Sequence, residues 1–596
     1  MTDKQRTWGQ YATPTDVADL LLGFCLRRAN ARLLDPSCGD GALLRRAAQW
    51  RAWLASVEEQ SAQRTLYGIE LDPNAAAVAE TVSGARIERA NFFTLDASGY
   101  EPFDAVVGNP PYTRAEWIER LGDDARQMTL FNPESLPNGP SPLHPLVPRE
   151  LSAFLGRRAG LYAYFFIHSL DFLREGGRLG FVVPNGWLDV AYGDALKQFM
   201  LEHFRIVAVV ESAVERWFAT AGVNTCLVIL ERAGEAADRA GNRVRFIRLR
   251  QPLRELLGLE TDSRRVQAVE SLVTRLMPAA DRLSPAASVR VREQEGLDAT
   301  ARWGSLLRAP DVYLRRPPRP TAPLGQWAMI QRGHTTGAND FFYLSRRRVE
   351  QWGIEAAFRR PLLKSLRGVD SLLLGASDCR HELLAIPPAA DLTGTAAADY
   401  LAWGEAQDVA ARATCAGRRP WYALPEQESD QAPAGQLLLA KGVWQRHFAA
   451  VATEPIAVDQ QIYRLVPTNG VSPTAAAALL NSAWFALACE LGGRVNLGEG
   501  VLWLASYELA GVLLPDPREL GTEAMRLLEE SFRRVAALPI EDTPVMLARA
   551  ERQTLDELVF DLLGLSVAER ESTRNALLDC LDGRRRRARQ TGETES

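Results

Sequence analysis

Asn109-Pro110-Pro111-Tyr112 follows the apolar run Phe103–Gly108 and collects groups that can activate an aromatic amine. The nitrogen of such an amine is a poor nucleophile because its lone pair is delocalised into the ring. The side-chain oxygen of Asn109 and the carbonyl of Pro110 are two acceptors for its N–H bonds, favouring a pyramidal and more nucleophilic nitrogen. Proline fixes φ and has no N–H to compete for those acceptors, so Pro110 and Pro111 present the turn stiffly. Tyr112 adds a ring on which a flat base can stack. The chemistry indicated is methyl transfer to an exocyclic base nitrogen. A Pro-rich turn from strand to loop carries the same letters, so the rest of the chain has to decide.

The elements around this turn are those of a nucleotide-type α/β unit. A short apolar run at 31–34 leads into Asp35-Pro36-Ser37-Cys38-Gly39-Asp40-Gly41 and a helix-like stretch at 42–50. Glycines at a strand-to-helix turn let a ligand approach the backbone closely. A second strand, 65–69, ends in Glu70, placed to accept both hydroxyls of a ribose. A third apolar stretch ends in Asn91-Phe92-Phe93, an amide and a ring suited to an adenine. The fourth strand ends at Asn109. Ligands of open α/β sheets bind outside the carboxyl ends of the strands, so these four strand ends converge on one crevice. No Walker lysine signature and no hydride-transfer residues point to a nucleotide hydrolase or a dehydrogenase.

In this order the motifs resemble those of gamma-class DNA adenine-N6 methyltransferases of restriction–modification systems. Gly9-Gln10-Tyr11-Ala12-Thr13-Pro14-Thr15-Asp16-Val17-Ala18 is similar to the family's N-terminal cofactor motif, and residues 35–41 to the motif that holds the methionine part of S-adenosylmethionine. Glu70 matches the ribose-binding acid and Asn109-Pro110-Pro111-Tyr112 the catalytic tetrad. Residues 161–177, with Tyr162 and Phe165, are similar to the helix and Gly-Gly turn that follow. Residues 217–225 resemble a later motif whose phenylalanine, here Phe218, packs against the extruded base. The resemblance extends to about Arg232. It implies that Asn109, Pro110, Pro111 and Tyr112 are catalytic and that Tyr112 and Phe218 stack on the target base. It also implies that Thr13, Asp35, Ser37, Gly39, Gly41, Glu70, Asn91, Phe92 and Phe165 bind the cofactor. Asn91 departs from the pattern, because the family has an aspartate there that accepts from the cofactor's adenine amino group. An asparagine oxygen can accept the same bond, without charge assistance.

At 596 residues the chain exceeds one core and is expected to form roughly three to five units. Its apolar fraction of 46% and charged fraction of 24% are those of soluble globular proteins. Without a membrane-length apolar stretch or a signal peptide, a cytoplasmic protein with no membrane partner is expected. Cysteines at 25, 38, 226, 379, 415, 489 and 580, like the six histidines, show no ligand spacing, so no metal is expected. A net charge of −5 neither demands nor excludes nucleic acid, since a polyanion binder can confine positive charge to one cleft.

The fold class expected is α/β. A Rossmann-like S-adenosylmethionine-dependent methyltransferase domain (1–235) leads through a connector (236–320), helix-like over 263–283, to an α+β target-recognition domain (321–520). A helical C-terminal region (521–596) carries a basic tail at 584–589. Prolines crowded between 130 and 148 predict a long loop beside the active turn. In the recognition domain Arg332, His334, Asn339, Lys364, Arg367, Arg419 and Lys441 are interleaved with aromatic residues. Basic groups suit phosphates, while Asn and Arg suit base edges. As a set they resemble target-recognition domains of the same family, the alternative being a surface mosaic.

The function expected is site-specific transfer of a methyl group from S-adenosylmethionine to adenine N6 in double-stranded DNA. The base must be flipped, because that atom is inaccessible inside the stack. The chain would be the modification enzyme of a restriction–modification or phage-defence system. Other readings are N4-cytosine methylation, a partner-dependent subunit of a multi-subunit defence complex, and a protein-glutamine or RNA methyltransferase. The large recognition half argues against the last. No metal-dependent nuclease constellation is found and the chain starts almost at its first motif, so a separate restriction endonuclease, or none, is expected.

Overall fold

The computed structural model describes residues 11–55, 65–112, 155, 159–190, 192–218, 224–259, 262–425, 435–495 and 500–592. The Pro-rich stretch 130–148 and residues 219–223 of the Phe218 motif lie outside them. The chain divides into two compact units, one built chiefly from Met1–Arg308 and the other from Ala309–Asn496 and Gly500–Asp582.

The first unit holds a ten-stranded mixed sheet. Its strands are β1 (Leu33–Asp35), β2 (Leu66–Glu70), β3 (Arg86–Arg89), β4 (Phe103–Gly108), β5 (Leu173–Pro184), β6 (Phe204–Ser212), β7 (Thr225–Arg232), β8 (Arg243–Leu249), β9 (Arg282–Leu283) and β10 (Ala287–Glu293). They lie in the order β3-β2-β1-β4-β5-β7-β6-β8-β10-β9. β1 to β5 are mutually parallel, and β7 runs antiparallel between β5 and β6. The helices that matter here are α1 (Thr15–Cys25), α2 (Ala42–Ala55), α3 (Pro73–Ser83), α4 (Leu161–Phe172), α5 (Tyr192–His203) and α6 (Arg264–Leu276).

The central strands are continuous apolar runs because both sheet faces are covered. Successive side chains point to opposite faces. Leu33, Ala105, Val107 and Val182 enter one core with α1, α2 and α6. Leu34, Val106, Phe181 and Val183 enter the other with α4 and α5. The chain steps outward from β1 to β2 and β3, then returns to place β4 on the other side of β1. Strand order therefore reverses between β1 and β4, and a crevice opens outside their carboxyl ends.

Most of the segment expected as a connector, residues 236–308, belongs to the first unit. Its strands β8, β9 and β10 extend the sheet, and α6 packs into the core beside α1. Arg265 donates to the buried Asp19 carboxylate at 2.7 Å, and Arg46 closes on the same group at 2.6 Å. The alternation Arg-Val-Arg-Phe at 243–246 and Ser-Val-Arg-Val-Arg at 288–292 is the period-two signal that marks these strands.

The second unit is α+β. Ala328–Arg332, Ile462–Pro467, Leu437–Ala440, Ala449–Ala452 and Leu373–Leu374 lie side by side in a five-stranded sheet. A four-stranded sheet includes Tyr343–Ser345, His381–Leu384 and Arg359–Leu363, and Phe341, Leu383 and Tyr400 form a core of their own beside it. The region expected as separate C-terminal helices joins the larger core of this unit. Leu528 and Phe532 of Thr522–Ala536 and Leu555 and Val559 of Ala550–Leu563 pack in one cluster with Leu437, Leu465 and Leu479. Residues 584–589, expected as a tail, continue the closing helix Val567–Gly592. No single helix among the described residues is long and apolar enough to cross a membrane.

Candidate active site

Two acids and two glycines shape the floor of the crevice. Asp35 ends β1 and is buried, with the Ser37 amide donating to its Oδ1 at 3.1 Å. Burial, reinforced by the nearby Glu70 charge, pushes the Asp35 carboxyl up to about 7. Glu70 ends β2 and takes one backbone N–H on each oxygen, from Gly39 on Oε2 and Asp72 on Oε1, both at 2.8 Å. Burial raises its pKa as well. Gly39 and Gly41 have φ of +56° and +79°, the left-handed region that favours glycine. A Cβ on Gly41 would stand 2.7 Å from the Ala79 Cα of α3, whereas one on Gly39 would meet nothing within 4 Å. The Ser37 hydroxyl is buried and has no hydrogen-bond partner among the described residues.

An aromatic wall lies beyond β3. Phe92 stacks on Phe165 of α4 with ring centroids 5.5 Å apart and planes at 15°, and Phe93 meets Phe165 edge-on at 4.7 Å. Asn91 starts the turn that carries both rings, its Oδ1 accepting from the Phe93 amide at 3.1 Å. An Asx cap of this kind is open equally to aspartate and asparagine, so the departure at 91 leaves the turn intact.

The tetrad stands directly beside this floor. A Cβ on Gly108 would lie 3.1 Å from Asp35 Oδ1, so the end of β4 and the glycine turn are in contact. Asn109 Nδ2 donates to the Tyr11 carbonyl at 2.7 Å. A carbonyl can only accept, so it fixes the amide nitrogen on its own side and turns Oδ1 the other way. There Oδ1 accepts from the Tyr112 hydroxyl at 2.6 Å. Tyr112 stands edge-on to Phe218, with centroids 6.0 Å apart and planes at 88°, and Tyr11 lies 5.7 Å from Tyr112 and 6.3 Å from Phe218. Burial, with smaller contributions from Cys226 and Tyr11, holds the Tyr112 hydroxyl well above its ordinary pKa, so it remains a donor. Thr13, partly buried, follows Tyr11 just ahead of α1. Tyr11 is the residue that sequence reasoning missed. It lay inside the motif read as cofactor-binding, but a backbone carbonyl has no signature in residue type.

Residues 1–261 match the family described as N-6 DNA Methylase. Residues 316–543 match the C-terminal domain of the Type II methyltransferase M.Eco57I. The Type II methyltransferase M.XamI of Xanthomonas campestris pv. amaranthicola is 26% identical over 352 residues, 56% of this chain and 53% of that protein. M.BanIII of Aneurinibacillus aneurinilyticus is 25% identical over 252 residues, 37% and 38% of the two chains. The match thus takes in about half or less of these relatives' own length. The solved structure of the Type IIL restriction-modification enzyme MmeI in complex with DNA shares the fold at a TM-score of 0.56 and 12% identity, covering 96% of this chain and 75% of that one.

Within the region that matches the M.Eco57I C-terminal domain, the residues singled out fall into two groups. Arg332, Lys364, Arg367 and Arg419 are exposed. Gln460 braces the Arg332 guanidinium, through its side-chain oxygen at 3.0 Å and its carbonyl at 3.2 Å. Lys441 lies close enough for burial, and then the Arg332 charge, to lower its pKa, and its ammonium is 5.8 Å from the Trp503 ring. His334 and Asn339, expected with the others to face DNA, are placed differently, the first buried and the second part-buried. His334 is 4% exposed, and its backbone pairs with the Val458–Asp459 strand end, its amide donating to the Val458 carbonyl at 2.9 Å. Asn339 donates to Asp459 Oδ2 at 3.4 Å and accepts from Thr336 Oγ1 at 2.5 Å. Tyr343 closes on the same buried carboxylate at 2.5 Å. The side chains of Thr336, Asn339, Tyr343 and Asp459 thus satisfy one another inside the unit, as buried polar groups must.

Proposed function

We propose that the chain is a site-specific DNA methyltransferase that methylates adenine N6 in double-stranded DNA, with the target base turned out of the helix. The observation that carries this reading is the orientation of Asn109. Its Oδ1 is aimed away from the Tyr11 carbonyl, among three aromatic rings, on a strand end touching the glycine turn. The buried site has a use for a zwitterionic, adenosine-bearing ligand. Asp35 is an acid held up by burial, Ser37 has an unused hydroxyl, and each Glu70 oxygen that takes one N–H keeps a lone pair. Asp35, Ser37, Gly39 and Glu70 would hold S-adenosylmethionine against the Phe92 wall. When bound, that group supplies a methyl on a positively charged sulfur.

The chain's own residues then do three things. Tyr112 and Phe218 stack on the extruded base and offset the few kcal/mol of unstacking. Asn109 Oδ1 and the Pro110 carbonyl accept the two N6–H bonds and aim the lone pair. As the new N–C bond forms, the same oxygens face the developing positive charge on N6, and the surplus proton passes to solvent. No strong base is needed, because positioning and preorganised dipoles supply the rate. The relatives' printed names support a place as the modification enzyme of a restriction–modification system, and the M.Eco57I-like half would recognise the site. Asn109→Ala is expected to abolish tritium-methyl incorporation while calorimetric cofactor affinity is kept; wild-type turnover in that variant would overturn the assignment. Methylation-sensitive long-read sequencing of DNA from cells expressing the chain would give the sequence it marks.

A further inference from the structure

Both ends of the Asn109 amide are engaged by groups of the chain itself. Nδ2 is held by the Tyr11 carbonyl at 2.7 Å and Oδ1 by the Tyr112 hydroxyl at 2.6 Å. The hydroxyl presents to Oδ1 what a target amine would present, an N–H or O–H donor on the rim of an aromatic ring. It therefore fills the acceptor the reaction needs. In the same arrangement the Tyr112 ring stands at 88° to Phe218, and perpendicular rings cannot sandwich a flat base. The hydroxyl contact and the sandwich are alternative states of one side chain.

We propose that Tyr112 is a positioning residue as well as a stacking one: its hydroxyl stands in for the target amino group. In the arrangement described it keeps Asn109 Oδ1 in its working direction. An entering adenine displaces it, takes over Oδ1, and frees the ring to turn parallel to Phe218. The Tyr11 carbonyl holds Nδ2 throughout, so the amide does not rotate when its partner on Oδ1 changes. The inference rests on the base-extrusion reading above and assigns the phenol oxygen a role separate from that of the ring. It also gives the part-buried Asn109 oxygen a donor, since such an oxygen left without one is costly.

The test uses the full chain and a cognate duplex, once that sequence is known, with 2-aminopurine immediately 3′ of the target adenine as a reporter of its unstacking. Tyr112→Phe removes the competing donor and keeps the ring. The expected result is a population of unstacked base about five-fold larger relative to stacked base than in wild type, the order of one net hydrogen bond. The KM for duplex should fall in parallel. In an Asn109→Ala background, where Oδ1 is gone, the same Tyr→Phe change is expected to have no effect on the unstacking signal. Equal signals from wild type and Tyr112→Phe would overturn the stand-in role alone. No signal from wild type on a duplex that it methylates would overturn base extrusion, and this inference with it.

Discussion

The amide of Gly39 donates to Glu70 Oε2 at 2.8 Å, tying the glycine turn after β1 to the end of β2. The carboxylate proposed to receive a ribose therefore also shapes the turn beside it. Glu70→Gln replaces one of its two acceptor oxygens with an NH2 group, which faces a backbone N–H as donor against donor. Losing one hydrogen bond to a charged group costs about 1.5–3 kcal/mol. Cofactor affinity measured by calorimetry is expected to fall at least about tenfold, with a lower melting temperature. Unchanged affinity would remove Glu70 from the binding site.

The two glycines of the turn should fail in different ways. Gly41→Ala combines a φ of +79° with a Cβ 2.7 Å from backbone, so it must push α3 away from the turn. Gly39→Ala meets open space and carries only the left-handed penalty, about 1–2 kcal/mol. Thermal melts are expected to show the larger loss for Gly41→Ala. Gly39→Ala should instead weaken cofactor binding out of proportion to its melting shift, because its methyl enters the crevice. The reverse ranking would mean that the open side of Gly39 is not the cofactor side.

Asp35 makes stability and binding respond oppositely to pH. Its carboxyl stands at about 7 in the folded chain, against about 4 when unfolded. The folded state keeps a proton that the unfolded state loses. The contribution of this group to stability is therefore full below about pH 4, declines as pH rises to about 7, and is lost above it. A cationic amino group beside Asp35 favours the ionised acid, so S-adenosylmethionine affinity should rise over the same window. Asp35→Asn is expected to flatten both slopes, read by melting and by titration between about pH 5 and 8. A wild-type affinity with no pH dependence below 7 would remove Asp35 from contact with the ligand's charge.

The parts of this site that were legible in sequence are those in which residue type and chemistry coincide. Asn109, Glu70 and the glycines each sit at a strand end, and strand ends can be read from short apolar runs. The Tyr11 carbonyl was not legible, since every residue has one and only the fold decides where it points. The fate of His334 and Asn339 was hidden for a related reason. The strand end at Val458 and Asp459, more than a hundred positions along the chain, pairs with the His334 backbone and takes the Asn339 amide, and nothing local in 334–339 announces that partner. Strands β8 and β10 did carry a signal, alternate arginines and valines, but period two over seven residues is easily masked by the stronger helical period of α6 beside them.

The basic residues of the second unit offer a prediction about DNA that does not depend on the chemistry of the first. Arg332 and Lys441 lie close enough for the Arg332 charge to lower the lysine's pKa, and neither forms an ion pair among the described residues. Two like charges held together in this way favour an anion between or above them. If that anion is a backbone phosphate, replacing either residue with alanine weakens duplex binding by a similar factor for every sequence. It also reduces the slope of log affinity against log salt by about one. If the braced Arg332 guanidinium instead meets a guanine edge, Arg332→Ala relaxes the methylated sequence at one position, and only Lys441→Ala follows the salt rule. His334→Ala, by contrast, should lower the melting temperature and leave the salt slope alone, because its side chain is buried inside the unit. Fluorescence anisotropy over a salt series separates these outcomes, and a slope unchanged in both alanine variants, with no relaxed position, would take this surface out of the DNA interface.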